Sequence, residues 1–122
     1  MSVDRGLLAW VEEALELLGR VTMRRMMGGA ALYLDGILFA LIFDDELWFK
    51  ADAETAAVWD AEGCGRFTYA MKTRRIESGN YRRAPGDVHD DPDAMRHWAC
   101  IAVEAGARGA AKKKPRLRKP DD

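Results

Sequence analysis

The chain has 122 residues, a length that suits one domain and is too short for two of average size. Its composition is 48% apolar, 9% aromatic and 32% charged, which excludes wholesale disorder and fits a globular domain. The formal net charge is −1, so the total by itself points to no electrostatic partner. The longest uninterrupted apolar run, Ile37–Phe43, has the length of a strand, which excludes a membrane span.

The N-terminal residues and the two cysteines predict a cytoplasmic location. Residues 1–5 contain no basic segment that leads into an apolar one, so we expect no secretory signal. Cys64 and Cys100 are too few for a disulfide framework and form no CxxC pair. This cysteine usage is typical of reduced thiols in the cytoplasm.

The first segment has the period of an amphipathic helix, and the segment after it has the period of strands. Apolar residues recur along one stripe of the helix, with glutamates opposite: Leu7, Leu8, Val11, Ala14, Leu15 and Leu18. From Thr22 the apolar period changes to two, and a bend is expected at Gly28-Gly29. Asp35-Gly36 then separates two apolar runs, which predicts a hairpin whose two turn residues have positive φ.

A two-residue turn at Asp35-Gly36 makes the predicted hairpin apolar on both faces. One face holds the facing pairs Leu34 with Ile37, Leu32 with Phe39 and Ala30 with Leu41, and the other holds Tyr33, Leu38, Ala40 and Ile42. A sheet with two apolar faces must be covered on both. Helices and a second subunit remain alternative covers, so a homodimer is one expectation.

The rest of the folded segment alternates between strands and helices. Asp44-Asp45 predicts a turn into a strand at residues 47–50, and two more strands are expected at residues 67–69 and within 74–83. A helix is expected between the strand at residues 47–50 and the strand at residues 67–69. It begins at the cap Asp52, has Val58 and Trp59 facing inward and ends at Gly63.

The last predicted helix completes an α+β domain. Asp91-Pro92 supplies its N-cap and first residue, and Gly106 ends it. The predicted element order is α-β-β-β-α-β-β-α, with the strands in an antiparallel β-meander sheet and the helices flanking it.

Charge divides the chain near residue 107. Residues 1–107 hold 12 Lys+Arg and 18 Asp+Glu, a net charge of −6, whereas residues 108–122 hold 7 and 2, a net charge of +5. We therefore predict an acidic folded domain at 1–107 and a basic disordered tail at 108–122. The candidate nucleic-acid-binding residues of this tail are Lys112, Lys113, Lys114, Arg116, Arg118 and Lys119.

No motif in the sequence predicts catalysis, a cofactor or a metal. The chain lacks a nucleophile elbow, a P-loop, a dinucleotide-binding glycine loop and an HExxH pair. His97 and Cys100 are three residues apart on a predicted helix, but two donors complete neither a metal site nor a catalytic triad. We therefore predict no catalytic, cofactor-binding or metal-binding residues.

Three pairs of adjacent arginines lie on predicted strands, at Arg24-Arg25, Arg74-Arg75 and Arg82-Arg83. Successive strand residues point to opposite faces, so one arginine of each pair faces each side of the sheet. A cationic strip on one face is one interpretation. We favour the other, in which the arginines pair with carboxylates and keep sheet edges soluble.

A collinear set of short motifs connects the chain to a known family. The motifs are Arg25-Met26-Met27-Gly28-Gly29, Leu32-Tyr33-Leu34-Asp35-Gly36, Phe39-Ala40-Leu41-Ile42, Leu47-Trp48-Phe49-Lys50-Ala51-Asp52, Phe67-Thr68-Tyr69 and Asp90-Asp91-Pro92-Asp93. In this order they resemble the N-terminal domain of the TfoX/Sxy competence-regulator family over residues 1–108. The chain departs from the family pattern at Met27, where phenylalanine is usual.

The resemblance implies an α+β fold, no known catalysis and a regulatory role in bacterial DNA-uptake competence. We interpret the chain as a stand-alone, single-domain relative that acts as a regulatory or protein-interaction module. The expected partner is the transcription machinery or a transcription factor, with no cofactor and no membrane. The alternative is a non-specific nucleic-acid-binding protein that acts through the basic C-terminal residues.

Overall fold

An antiparallel sheet of six strands is the centre of the fold. The computed structural model describes residues 5–26, 28–70 and 75–117. The elements in chain order are α1 (Arg5–Ala14), β1 (Val21–Met26), β2 (Gly29–Leu34), β3 (Ile37–Phe43), β4 (Glu46–Lys50), α2 (Ala56–Ala61), β5 (Arg66–Ala70), β6 (Arg75–Arg83) and α3 (Pro92–Leu117), with a 3-10 turn at Gly86–His89 before α3.

The structure confirms the predicted α+β class and has one strand more than the predicted element order. The sheet runs β1-β2-β3-β4-β6-β5, so four strands follow each other as a meander and β6 then lies between β4 and β5. All the strand pairs are antiparallel. The strand missing from the predicted order is β1, which precedes the hairpin and forms one edge of the sheet. The period of two from Thr22 indicates strand conformation there, but the predicted order does not count it as a separate strand.

Tight turns with positive φ connect the meander strands. Asp35 and Gly36 have φ of 49° and 86°, as the Asp-Gly pair predicts. Asp44 and Asp45 also have positive φ, of 56° and 61°, a conformation that aspartate tolerates because its short side chain bonds locally. The predicted bend before β2 is confirmed by Gly28, whose φ is 74°.

A β-bulge changes the predicted register of the β2–β3 hairpin. Leu34 pairs with Ile37 as predicted, but the register shifts after Tyr33 pairs with Leu38. Leu32 therefore faces Ala40 rather than Phe39, and Ala30 faces Ile42 rather than Leu41. A bulge places one extra residue in β3, so every later side chain of that strand changes faces relative to the prediction.

The larger core lies between one sheet face and the three helices. Val11 and Leu15 at the end of α1, and Met95, Ala99 and Ala102 of α3, are buried against strand residues of this face. Most of the apolar stripe predicted for α1 is therefore confirmed.

Helix α2 begins later than predicted and contributes one large buried side chain. Thr55 is its N-cap and makes no side-chain hydrogen bond to the helix. Asp52, the predicted cap, exchanges hydrogen bonds with Thr55 in the turn before the helix. Trp59 is fully buried and stacks on Phe49 with ring centroids 5.7 Å apart. The prediction that Val58 faces inward is wrong, because a helix of six residues presents one narrow side to the sheet and Val58 lies beside it.

The other sheet face is covered by the curl of the sheet itself. Phe67 of β5 packs edge-on against Trp48 and Phe43, with ring centroids 5.0 Å and 5.3 Å away. In a flat sheet of this order β5 would lie three strand positions from β3. The contact between Phe67 and Phe43 therefore requires the β5–β6 pair to curve over this face of the sheet. With Ala31 and Leu41 these aromatic rings form a second buried cluster within one chain. The curvature of the strands thus covers the second face, for which we expected helices or a second subunit.

Helix α3 continues through Gly106, which corrects the predicted end of the helix. A Cβ atom at Gly106 would overlap the Leu38 carbonyl oxygen, so the glycine permits close contact between α3 and β3 rather than ending the helix. Residues 108–117 are consequently helical where we predicted disorder. Alanines at 110 and 111 favour the helix, and the lysines after them suit its negative C-terminal end. Residues 118–122 lie outside the described residues.

We predict opposite effects for two glycine-to-alanine changes in α3. Gly106→Ala should lower the free energy of unfolding by about 1–3 kcal/mol, because the added methyl group forces α3 away from the backbone of β3. Gly109→Ala is the matched control, since the nearest atom to its Cβ would be the Lys50 side chain at 4.0 Å. It should raise the free energy of unfolding by up to about 1 kcal/mol.

Urea unfolding of both variants and the unchanged chain measures this difference. Equal effects at the two positions would show that α3 does not lie against β3 at Gly106.

Candidate functional site

The donors considered for catalysis do not converge. His97 and Cys100 are both exposed on α3, and the His97 ring packs edge-on against Trp98 at 4.8 Å. Cys64 is buried, and this burial raises the pKa of its thiol, which keeps the sulfur protonated and unreactive. Within residues 5–26, 28–70 and 75–117, no group of three or more His, Cys, Asp or Glu side chains could hold a metal ion.

The adjacent arginines of β6 confirm the alternation of faces and have structural contacts. Arg82 is 1% exposed on the helix-covered face, where its Nη1 donates to Asp60 Oδ1 at 2.7 Å and to the Cys64 carbonyl oxygen at 3.1 Å. Arg83 points the other way, pairs with Glu46 at 3.1 Å and covers the Trp48 ring. These two arginines therefore support the ion-pair interpretation. Arg74 lies outside the described residues.

An ion pair joins α3 to the turn before α2. Arg108 donates from Nε and Nη2 to the two carboxylate oxygens of Asp52, at 2.7 Å and 3.1 Å. The hydrogen bonds from Arg108 lower the pKa of Asp52 from 3.8 to about 2. Because the folded-state pKa lies below the unfolded value, this pair stabilises the fold above about pH 4 and the contribution is lost as the pH falls towards 2.

The candidate nucleic-acid-binding residues lie at the end of α3 or beyond it. Lys112 is exposed on the helix, and positions 113, 114 and 116 belong to its last turns. The other two candidates, Arg118 and Lys119, lie outside the described residues.

Exposed apolar side chains concentrate at one edge of the sheet. Of the five large apolar side chains that are exposed in the described chain, four belong to the α1–β1 corner and to β1, and the fifth is Val58. Those four are Leu17, Leu18, Met23 and Met26, which are 79%, 37%, 36% and 49% exposed. A cluster of this kind beside an unpaired strand edge is typical of a binding surface.

Two arginines complete this surface. Arg24 and Arg25 are exposed, and neither takes part in an ion pair of the described chain. Arg25 and Met23 also line a groove of about 240 Å³, together with Leu8 and other residues of α1. We call Leu17, Leu18, Met23, Arg24, Arg25 and Met26 the β1 edge surface.

Sequence reasoning did not find the β1 edge surface. The period of two from Thr22 indicates a strand in Val21–Met26 but does not show that this strand is an edge. The helical period also predicts that Leu18 is buried, whereas it is 37% exposed. The run Met-Arg-Arg-Met could have indicated this surface, because it places one methionine and one arginine on each face of a strand.

Comparison of the sequence with known proteins identifies a family and a similar protein. The sequence matches the TfoX N-terminal domain family over residues 7–106. It is also similar to the DNA transformation protein TfoX1 of Aliivibrio fischeri, with 36% identity over 64 residues. The aligned segment is 52% of this chain and 30% of that relative, so it covers less than a third of the relative's length. Because the family match extends from α1 to α3 and includes every strand, the chain belongs to the TfoX N-terminal domain family.

Proposed function

We propose that the chain is a non-enzymatic regulatory module that controls DNA uptake by binding a protein of the transcription machinery in the cytoplasm. The β1 edge surface is the observation that carries this proposal. It combines an open strand edge, exposed methionines and arginines without ion-pair partners in the described chain. The similar protein of Aliivibrio fischeri is named for DNA transformation, which supports the process proposed here.

The placement of the remaining polar groups supports an interaction module over an enzyme. The buried Arg82 and the Asp52–Arg108 pair connect secondary-structure elements to each other, and the exposed His97 and Cys100 have no third group that would orient them for catalysis in the described chain. A surface that binds another protein needs no such constellation. It needs exposed apolar area and unpaired donors, which the β1 edge surface has.

Deleting the gene in its native host tests this proposal. We expect transformation by added DNA to fall at least tenfold, together with the transcripts of uptake genes. The double variant His97→Ala/Cys100→Ala should restore both, because a non-enzymatic module does not use these side chains. Unchanged transformation and transcripts after deletion would contradict the regulatory role. If a stably folded double variant failed to restore transformation, that result would contradict the proposal that the module is not an enzyme.

A second candidate function is non-specific nucleic-acid binding through the basic end of the chain. The observation that favours it is the separation of charge, with −6 on residues 1–107 and +5 on residues 108–122. The acidic part repels a phosphate backbone, so a nucleic-acid contact would use the cations from Lys112 onwards. Such contacts bind phosphates and carry little sequence preference.

A salt titration of DNA binding distinguishes this second function. If about five cations contact phosphates, log K should fall with log salt at a slope of about −4 to −5, a loss of several hundredfold over a fourfold rise in salt. Deletion of residues 112–122 should abolish this binding while leaving Arg108 and the buried part of α3 in place. Equal DNA affinity with and without these residues would reject the second function.

A further inference from the structure

We propose that the β1 edge surface binds an extended acidic segment of a partner protein, which joins the sheet as a seventh strand antiparallel to β1. This inference rests on the proposed function and names the chemistry of the partner. It follows from three properties of β1: its backbone is open on one side, its side chains alternate in a way that selects a complementary strand, and its charge disfavours a second copy of the same chain.

The backbone of β1 is available for pairing. In the described sheet β1 pairs with β2 alone, through an unbroken register from Val21 with Leu34 to Met26 with Gly29. Proteins often block such an edge with a proline, a bulge, a very short strand or charged side chains. Of these, β1 has only the charges of Arg24 and Arg25, which oppose a basic strand and which an acidic strand would neutralise. The six residues of β1 include no proline, and their pairing with β2 has no register shift. The side of β1 that faces away from β2 therefore presents a regular row of hydrogen-bonding groups.

The side chains of β1 define what an added strand must carry. Met23 and Arg25 lie on the helix-covered face, beside the groove against α1. Arg24 pairs with Ala31, which belongs to the cluster on the other face, and Met26 shares that side. Each face of β1 thus offers one arginine and one methionine. A complementary strand has acidic residues opposite the two arginines and apolar residues opposite the two methionines.

The charge of β1 disfavours a second copy of this chain as the occupant. Pairing of β1 with β1 of another copy would bring four arginines into one ladder, and β1 contains no acidic residue to compensate for them. Like charges facing each other across strands are destabilising. Glu12 borders the groove but forms no ion pair with Arg25 among the described residues, so the arginines remain available to an acidic strand.

A designed peptide tests the proposal on the full chain. The probe is a capped fluorescent peptide whose central residues are Val-Glu-Glu-Val-Thr-Thr, the order that sets glutamates opposite Arg25 and Arg24 and valines opposite Met26 and Met23. Fluorescence anisotropy should show saturable binding, and a peptide with lysines in place of both glutamates should bind at least tenfold more weakly.

Two variants with the same change in charge locate the site. Arg24→Glu/Arg25→Glu should weaken binding of the glutamate peptide at least tenfold and reverse the preference in favour of the lysine peptide. Lys112→Glu/Lys113→Glu should leave binding unchanged, because it alters the basic end of α3 and not the edge. Arg24, Arg25 and Lys112 are exposed, and circular dichroism checks that both variants fold.

Three results would overturn the inference. The first is equal binding of both peptides, and the second is loss of binding in the Lys112→Glu/Lys113→Glu variant, which would place the contact on α3. The third is a dimer of the full chain that dissociates in the Arg24→Glu/Arg25→Glu variant, which would make a second copy the occupant. Because transformation in the host is measured separately, a failed peptide experiment with a confirmed deletion phenotype rejects this partner chemistry and retains the regulatory function.

Discussion

The apolar character of both sheet faces is the constraint on which the rest of the structure depends. Neither face of the β2–β3–β4 centre can remain in water, so each has its own cover. The three helices cover one face, and the curvature that brings Phe67 over Trp48 and Phe43 covers the other. The curl brings the β5–β6 end over the second face, whereas β1 at the opposite end remains an exposed edge.

The same constraint explains the course of α3. The helix must lie close to β3 to cover its face, and Gly106 allows that approach against the Leu38 carbonyl oxygen. Asp52 then forms an ion pair with Arg108, two residues further along the helix. Beyond Arg108 the sequence of α3 carries the lysines that begin at Lys112. Residues 1–107 are acidic and residues 108–122 are basic, so the near-zero total of −1 conceals two regions of opposite charge.

Features that depend on neighbouring residues could be predicted from the sequence. The Asp35-Gly36 turn, the cap at Asp91, the inward position of Trp59 and the α+β class are confirmed, because local conformational preferences and apolar periodicity determine them. The family resemblance is confirmed as well.

Features that depend on residues distant in the sequence could not be predicted. The bulge at Phe39 follows from packing across the sheet, and the helical conformation of Gly106 follows from contact with β3. The β1 edge surface is the clearest case. The local sequence indicates a strand, but the exposure of its residues becomes evident only when the strand order places β1 at an edge.

Residue-resolved amide hydrogen exchange of the full chain at low concentration tests the central claim, that β1 is an open edge prepared to accept another strand. The account predicts slow exchange throughout β2, β3 and β4, where both sides of each strand are paired. In β1, alternate amides should exchange rapidly, because every second N–H points away from β2. Slow exchange of all the β1 amides would contradict the account, because it would mean that the edge is already covered.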